Sequence, residues 1–255
     1  MSKAARGRTV RLSLTRRLVT DVLHFARQIP SVPVQRHMDL GPLARAREQC
    51  AGRPSWVALF AKAYGKVAAE NPRLRQSFLS FPYHRLYEHA QSVAIISVER
   101  SYQGQDAIFF GRLRAPDAQP LAQLDEHLRR WKTAPIQEIG AFRQALRFAS
   151  LPRPLRRLAW WYAMNVSAAR REKHFGTFGI SVYSSLGVDS LHPIAPMTTL
   201  LNYGRISADG VVDVRIIYDH RVLDGASIGR ALLRLEEVLR TEMVAELATS
   251  GRAAA

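Results

Sequence analysis

Hydrophobic and polar positions recur along this chain with two periods. Over residues 212–219, Val212, Val214, Ile216 and Tyr218 fall on one side while Asp213, Arg215 and Asp219 fall on the other, which predicts a strand. Ile228, Ala231, Leu232, Leu235, Val238 and Leu239 then recur at helical spacing and predict a helix. The same helical period at Leu14, Leu18, Val22 and Phe25 predicts a helix over about 11–28, ended by Pro30 and Pro33. A strand over Val32 to Leu40 follows. Ser55 is placed to cap a second helix, with Trp56, Phe60, Ala63, Tyr64 and Val67 on one side and Asn71-Pro72 as its stop. Leu86, Val93–Val98 and Ala107–Phe110 read as strands, and Leu121 to Trp131 as a helix with Leu121, Leu124 and Leu128 inward.

The predicted strand and helix near the C-terminus meet at Tyr218-Asp219-His220-Arg221-Val222-Leu223-Asp224-Gly225-Ala226. Asp224 is placed to cap the helix, and Gly225 permits a tight turn at its start. A histidine on such a junction is held by rigid elements on both sides, which suits a general base. A neutral imidazole can take a proton from a thiol or hydroxyl near neutral pH.

Length and composition bound the rest. A chain of 255 residues, 47% hydrophobic and 23% charged, fits one large α/β domain. Residues 1–9 read as a flexible basic start, 10–248 as the domain and 249–255 as a flexible Ala-rich tail. No run of about 18 apolar residues is present, and the basic start has no apolar core behind it, so neither a spanning helix nor a secretory signal is predicted. The single cysteine, Cys50, excludes an internal disulfide and fits a reducing cytoplasm, so a cytoplasmic protein is expected. No metal site is expected. The net charge of +16 is almost all arginine, since only five residues are Lys. It points to acidic partners, among them an anionic membrane or a phosphorylated ligand. Nucleic acid is disfavoured, because no helix-turn-helix pattern, zinc-finger spacing or aromatic RNA-binding strand accompanies the charge.

The junction resembles the signature of the acyltransferase component of 2-oxoacid dehydrogenase complexes, and its His-x-x-x-Asp-Gly element that of chloramphenicol acetyltransferase. Gly176-Thr177-Phe178-Gly179-Ile180-Ser181, then Gly187-Val188-Asp189-Ser190 and Pro193-Ile194, is similar to the family's segment around its Thr-Ile-Ser strand. Leu200 to Ile206 resembles the next family strand. Thr15-Arg16-Arg17-Leu18-Val19 with Ile29-Pro30 resembles the opening helix and its turn, and Asn71-Pro72-Arg73-Leu74 the end of the second helix. The resemblance implies a chloramphenicol acetyltransferase-like two-layer sandwich, a mixed sheet flanked by helices, assembled as a homotrimer. It implies direct transfer of an acyl group between a coenzyme A or acyl-carrier thioester and an acceptor, in a channel between subunits. His220 would be the base. Ser181 of the neighbouring subunit would donate to the oxyanion, and Asp224 would be a structural carboxylate paired with Arg16 or Arg17.

Some residues depart from that pattern. Tyr183-Ser184 replaces the usual Leu-Gly, and His192 a common Thr. No lipoyl module or swinging linker is recognisable, and the C-terminal residues lack the family's apolar anchor, so a free-standing trimer is expected. Acyl-CoA or an acidic acyl carrier protein is the expected partner. A lipoyl domain on another chain and a non-catalytic scaffold are the alternatives. A Ser-His-Asp hydrolase is disfavoured, because Ser181 lies on a predicted strand without a Gly-x-Ser-x-Gly elbow.

The stretch 136–173 is an Arg/Trp-rich insert relative to the family. Leu155, Leu158, Ala159, Tyr162 and Val166 share one helical face, with Arg156, Arg157 and Arg170 elsewhere. It reads as an extra helix packed by its apolar face under solvated arginines, as a lid or wall over an acyl pocket, or, over 150–166, as an interfacial helix on an anionic membrane.

Overall fold

The two periods become two layers. The computed structural model describes residues 7–182 and 188–252. In chain order the elements are α1 (Leu14–Ala26), β1 (Ser31–Asp39), α2 (Gly41–Gln49), α3 (Trp56–Glu70), β2 (Gln76–Leu79), β3 (Arg85–Glu88), β4 (Val93–Tyr102) and β5 (Gln105–Arg114). Then come α4 (Leu121–Thr133), α5 (Gly140–Ser150), α6 (Arg153–Asn165), α7 (Ala168–Phe175), β6 (Phe178–Ile180), β7 (Thr199–Tyr203), β8 (Val211–Asp219), α8 (Gly225–Arg240) and α9 (Glu242–Arg252).

Six strands form one mixed sheet in the order β1-β8-β7-β6-β4-β5. The β7–β6 and β6–β4 pairs are parallel, and the other pairs antiparallel. This is the mixed sheet flanked by helices that the sequence implied. β2 and β3 pair separately as a small hairpin. Ser55 caps α3 as expected, its hydroxyl accepting from the Ala58 amide at 3.3 Å. The main core lies between α3, α4 and α8 and one face of the sheet. Phe60 stacks on Tyr203 with centroids 4.2 Å apart, and the buried Tyr64 donates to Thr199 Oγ1 at 2.9 Å. Trp131 lies flat on Gly111, where a Cβ would come within 2.1 Å of the indole, so only glycine fits.

Outside the insert, two helices escaped the sequence reading. α2 follows β1 after a single residue and has Pro42 in its first turn. α9 continues to Arg252, so the tail expected from 249 is helical over its first residues. Residues 1–6 and 253–255, and with them most of the basic start, lie outside the described residues, as do Tyr183-Ser184 and Gly187.

The insert folds as α5, α6 and α7, and α6 is turned opposite to its expected orientation. Leu155, Leu158 and Tyr162 are 55, 62 and 47% exposed, while Arg156, Ala163 and Met164 are buried. The cause is Asp21 on α1, itself buried, which accepts from Arg156 Nε at 2.6 Å. Arg157 Nε lies 2.9 Å from its other oxygen, close in charge but misaligned for a hydrogen bond. Two of the arginines assigned to solvent are therefore internal anchors. Phe25, Ile29, Ala163, Met164 and Phe175 close a second, smaller core beneath them.

A buried carboxylate between two guanidiniums cannot be removed cheaply. Asp21→Ala is expected to cost about 3–5 kcal/mol in urea unfolding, because two cations lose their counter-charge in a dry site. Acid should weaken the same region. Burial, with the charges of Lys173, Arg170 and Arg112, holds the His174 imidazole down to about 4 from 6.5. Below its ordinary value the unfolded chain takes a proton that the folded chain refuses, so stability is full above 6.5 and falls as pH drops toward 4. Urea midpoints at about pH 7 and about pH 5 should differ less for His174→Gln than for the parent protein.

Candidate active site

β8 runs through the sheet with its last six residues buried, and its end carries the candidate base. The Asp219 amide donates to Thr198 O at 2.9 Å and the His220 amide to Pro30 O at 3.0 Å, so the chain is pinned to both neighbouring segments. Val222 and Leu223 then turn into the core, and their amides return to Asp219 O. This fixes the backbone on either side of His220 and leaves its side chain 50% exposed. The Tyr218 and His220 rings lie 5.5 Å apart. Burial and the Asp224 carboxylate push the Tyr218 phenol above its ordinary value, so it stays protonated and neutral beside the imidazole.

Asp224 stands at the N-cap position of α8, but its side chain makes no capping hydrogen bond. It is 70% exposed, with Oδ1 3.9 Å from His220 Nδ1 and Oδ2 3.9 Å from Arg73. Within the protomer neither Arg16 nor Arg17, the partners implied by the resemblance, is the cation nearest Asp224. Arg16 is exposed on α1, and Arg17 lines a cleft with Asp21, Arg153 and Arg156. The cation facing Asp224 comes instead from the turn after α3, which Asn71-Pro72 ends. Gly225 takes no left-handed conformation; a Cβ there would sit 3.5 Å from the Tyr218 hydroxyl, in ordinary contact.

The turn has an internal clamp that the sequence reading missed. Asp219, 1% exposed, accepts from Arg221 Nε at 2.9 Å, Nη2 at 2.7 Å and its amide at 3.0 Å. The Arg221 guanidinium also lies 4.4 Å over the Phe78 ring of β2. Arg171, fully buried on α7, donates to Met164 O and Pro196 O; burial lowers its pKa to about 10, and the Asp219 charge opposes that fall. Asp219 and Arg221 flank His220 in the motif, so their adjacency was the available signal. His192, noted as a departure, bonds Ser31 Oγ at 2.9 Å, next to the Pro30 that holds His220.

Ser181 follows β6 and is 8% exposed. Its amide donates to Leu201 O at 3.1 Å, and its carbonyl accepts from Asn202 Nδ2 at 2.5 Å. The register aligns Ile180 with Leu201 and Leu201 with Ile216. Ser181 is thus level with Arg215, two strands from β8 and five positions before His220. That is roughly 17 Å along the strands and about 10 Å across them. One protomer does not bring His220 and Ser181 together. A different Ser–His–Glu set does meet: His89 lies 3.1 Å from both Ser77 Oγ and Glu172 Oε2. The His89 side chain is 0% exposed, so this set ties the hairpin to α7 beyond the reach of a substrate. Among the described residues no group of His, Cys, Asp and Glu is arranged to hold a metal ion.

No protein-family model matches the chain, and no curated protein sequence does. Solved structures do. A probable dihydrolipoamide acetyltransferase from Listeria monocytogenes superposes with a TM-score of 0.65 at 17% identity, over 92% of this chain and 95% of the other. The dihydrolipoamide acetyltransferase of Azotobacter vinelandii, in whose catalytic mechanism a serine, a histidine and an asparagine have a role, gives 0.65 at 20% identity, over 94% and 93%. A chloramphenicol acetyltransferase gives 0.51 at 17% identity, over 90% and 96%. At these identities the likeness establishes the fold, which is that of the chloramphenicol acetyltransferase-like catalytic cores.

The clamp has a measurable weight. Asp219→Ala removes three hydrogen bonds from the partly exposed Arg221 and leaves the buried Arg171 without an opposing charge, so a loss of about 1–3 kcal/mol is expected in denaturant unfolding. Asp219→Asn, which keeps the shape and two acceptor sites, should lose less.

Proposed function

We propose that this protein is an acyltransferase that passes an acyl group directly from a thioester, of coenzyme A or of a carrier-bound pantetheine, to a thiol or hydroxyl acceptor. His220 is the general base. Its Nδ1 faces Asp224, and Nε2 takes the acceptor's proton as the acceptor attacks the thioester carbonyl. The C–S bond then breaks, and the departing thiolate recovers the proton from the imidazolium, so no acyl-enzyme forms. Ser181 donates to the tetrahedral oxyanion. Asp224 and Arg73 hold the charge pattern around the base.

The observation that carries this reading is the half-exposed imidazole on a turn whose backbone is fixed at both ends. The separation of Ser181 from His220 supports a site completed by a second protomer, and hence a homotrimer in which each base faces a neighbour's hydroxyl. The net charge of +16 suits a phosphorylated thioester or an acidic carrier. Likeness to dihydrolipoamide acetyltransferases supports one further acceptor, a lipoyl group brought by another chain.

The test uses acetyl-CoA with dihydrolipoamide as the acceptor probe and follows release of free coenzyme A. His220→Ala should lower the rate by ~10²–10⁴, and Ser181→Ala by ~10²–10³. Co-refolding the two variants should restore about a quarter of the sites, those pairing an intact base with an intact neighbouring hydroxyl. Equal rates for His220→Ala and the parent would remove the base; no recovery in folded mixed oligomers would remove the shared site.

A further inference from the structure

The outward face of α6 is out of place on a molecule that could have buried it. Leu155, Leu158 and Tyr162, at i, i+3 and i+7, form one exposed stripe, with Trp161 40% exposed beside it. The tip of the β2–β3 hairpin extends this surface. Phe81 and Tyr83 are 50 and 67% exposed, and the Phe81 ring lies 5.7 Å from Trp161. The two elements are bolted together: Ser80 Oγ donates to Asn165 Oδ1 at 2.6 Å, the Phe81 amide to Asn165 O at 3.0 Å, and Arg85 Nη2 to Val166 O at 3.1 Å. The aromatic and aliphatic groups therefore form a rigid patch rather than a frayed segment.

Charge along these two segments has one sign. Residues 139–171 contain seven arginines and no acidic residue. Arg156, Arg157 and Arg171 are spent internally on Asp21 and on backbone carbonyls. Arg143, Arg147, Arg153 and Arg170 remain exposed. Residues 77–87 are likewise free of acidic residues, and the Arg85 guanidinium lies 5.4 Å over the Tyr83 ring. Leucines with tryptophan and tyrosine beside them, Arg85 at the hairpin tip and a net charge of +16 on the chain suit a bilayer interface with anionic headgroups. No helix among the described residues is long and apolar enough to cross a membrane, so the contact would be peripheral.

We infer that α6 and the β2–β3 tip form a docking face for an anionic lipid surface, with the apolar stripe entering the interface while Arg85 and the chain's net positive charge favour lipid phosphates. The face stands independently of the acyl-transfer reading, yet it borders that site, because Phe78 of the same hairpin carries Arg221 next to His220.

Sedimentation of the full chain with vesicles tests it, using phosphatidylcholine alone against phosphatidylcholine containing about a third phosphatidylglycerol. The parent should bind the anionic vesicles and not the neutral ones. L155E/L158E should weaken binding at least about tenfold. R129A/R130A on α4 lowers the net charge equally and should change little. Tyr162→Ser leaves the charge unchanged and should give a smaller loss of the same direction. The inference is overturned if neither vesicle binds, if the α4 control loses as much as the α6 variant, or if L155E/L158E breaks the oligomer in light scattering, which would make this face a contact between copies.

Discussion

The carboxylate of Asp219 sits at the end of a buried strand with three donors from Arg221 upon it and the charge of Arg171 nearby. An ion pair in that position contributes less through its own net energy than through the geometry it imposes, since desolvation consumes much of the Coulombic gain. It fixes where β8 ends. With the amides of Asp219 and His220 bound to Thr198, the residue before β7, and to Pro30, the following turn has one path into α8. Arg221 must turn back on Asp219 and lie against Phe78, so His220 projects between a clamped residue on either side. The hairpin, the 196–198 segment and α7 all meet this clamp, which couples the candidate site to the insert.

A second buried carboxylate, Asp21, orders the insert. By taking Arg156 and an ion pair with Arg157, it rotates α6 so that the helix buries arginine and exposes leucine. The amphipathic pattern is intact but inverted with respect to the protomer. Turned the other way, the helix would leave the buried Asp21 without its counter-charges, at a cost of about 3–5 kcal/mol that offsets much of the exposure of the leucines. The apolar stripe is thus the consequence of an electrostatic choice made on α1, and it supplies the surface proposed to meet lipid.

The strand register sets the remaining constraint. Ser181 and His220 leave the sheet at opposite ends of strands separated by β7, so chemistry that needs both requires a second copy of the sheet. The proposed direct transfer would need both substrates to meet away from bulk water, which a channel between subunits would provide.

Much of this was legible in the residues. The alternation at 212–219 and the helical period at 228–239 fixed the strand–turn–helix on which His220 sits, because both elements bury one face against a common core and their patterns are local. The Ser55 cap and the Asn71-Pro72 stop were equally local. The partner of Asp224 was not legible: arginines are abundant, and only the path of the chain after α3 decided that Arg73, rather than Arg16 or Arg17, comes within reach. The orientation of α6 was hidden for the same reason, since periodicity shows that a helix has two faces and not which one a distant carboxylate will claim. The sequence by itself determined most of the elements, the sheet-bearing fold and the strand–turn–helix that carries His220. The tertiary structure decided which charges neutralise one another and which groups share a site, because those depend on distances between segments far apart in the chain.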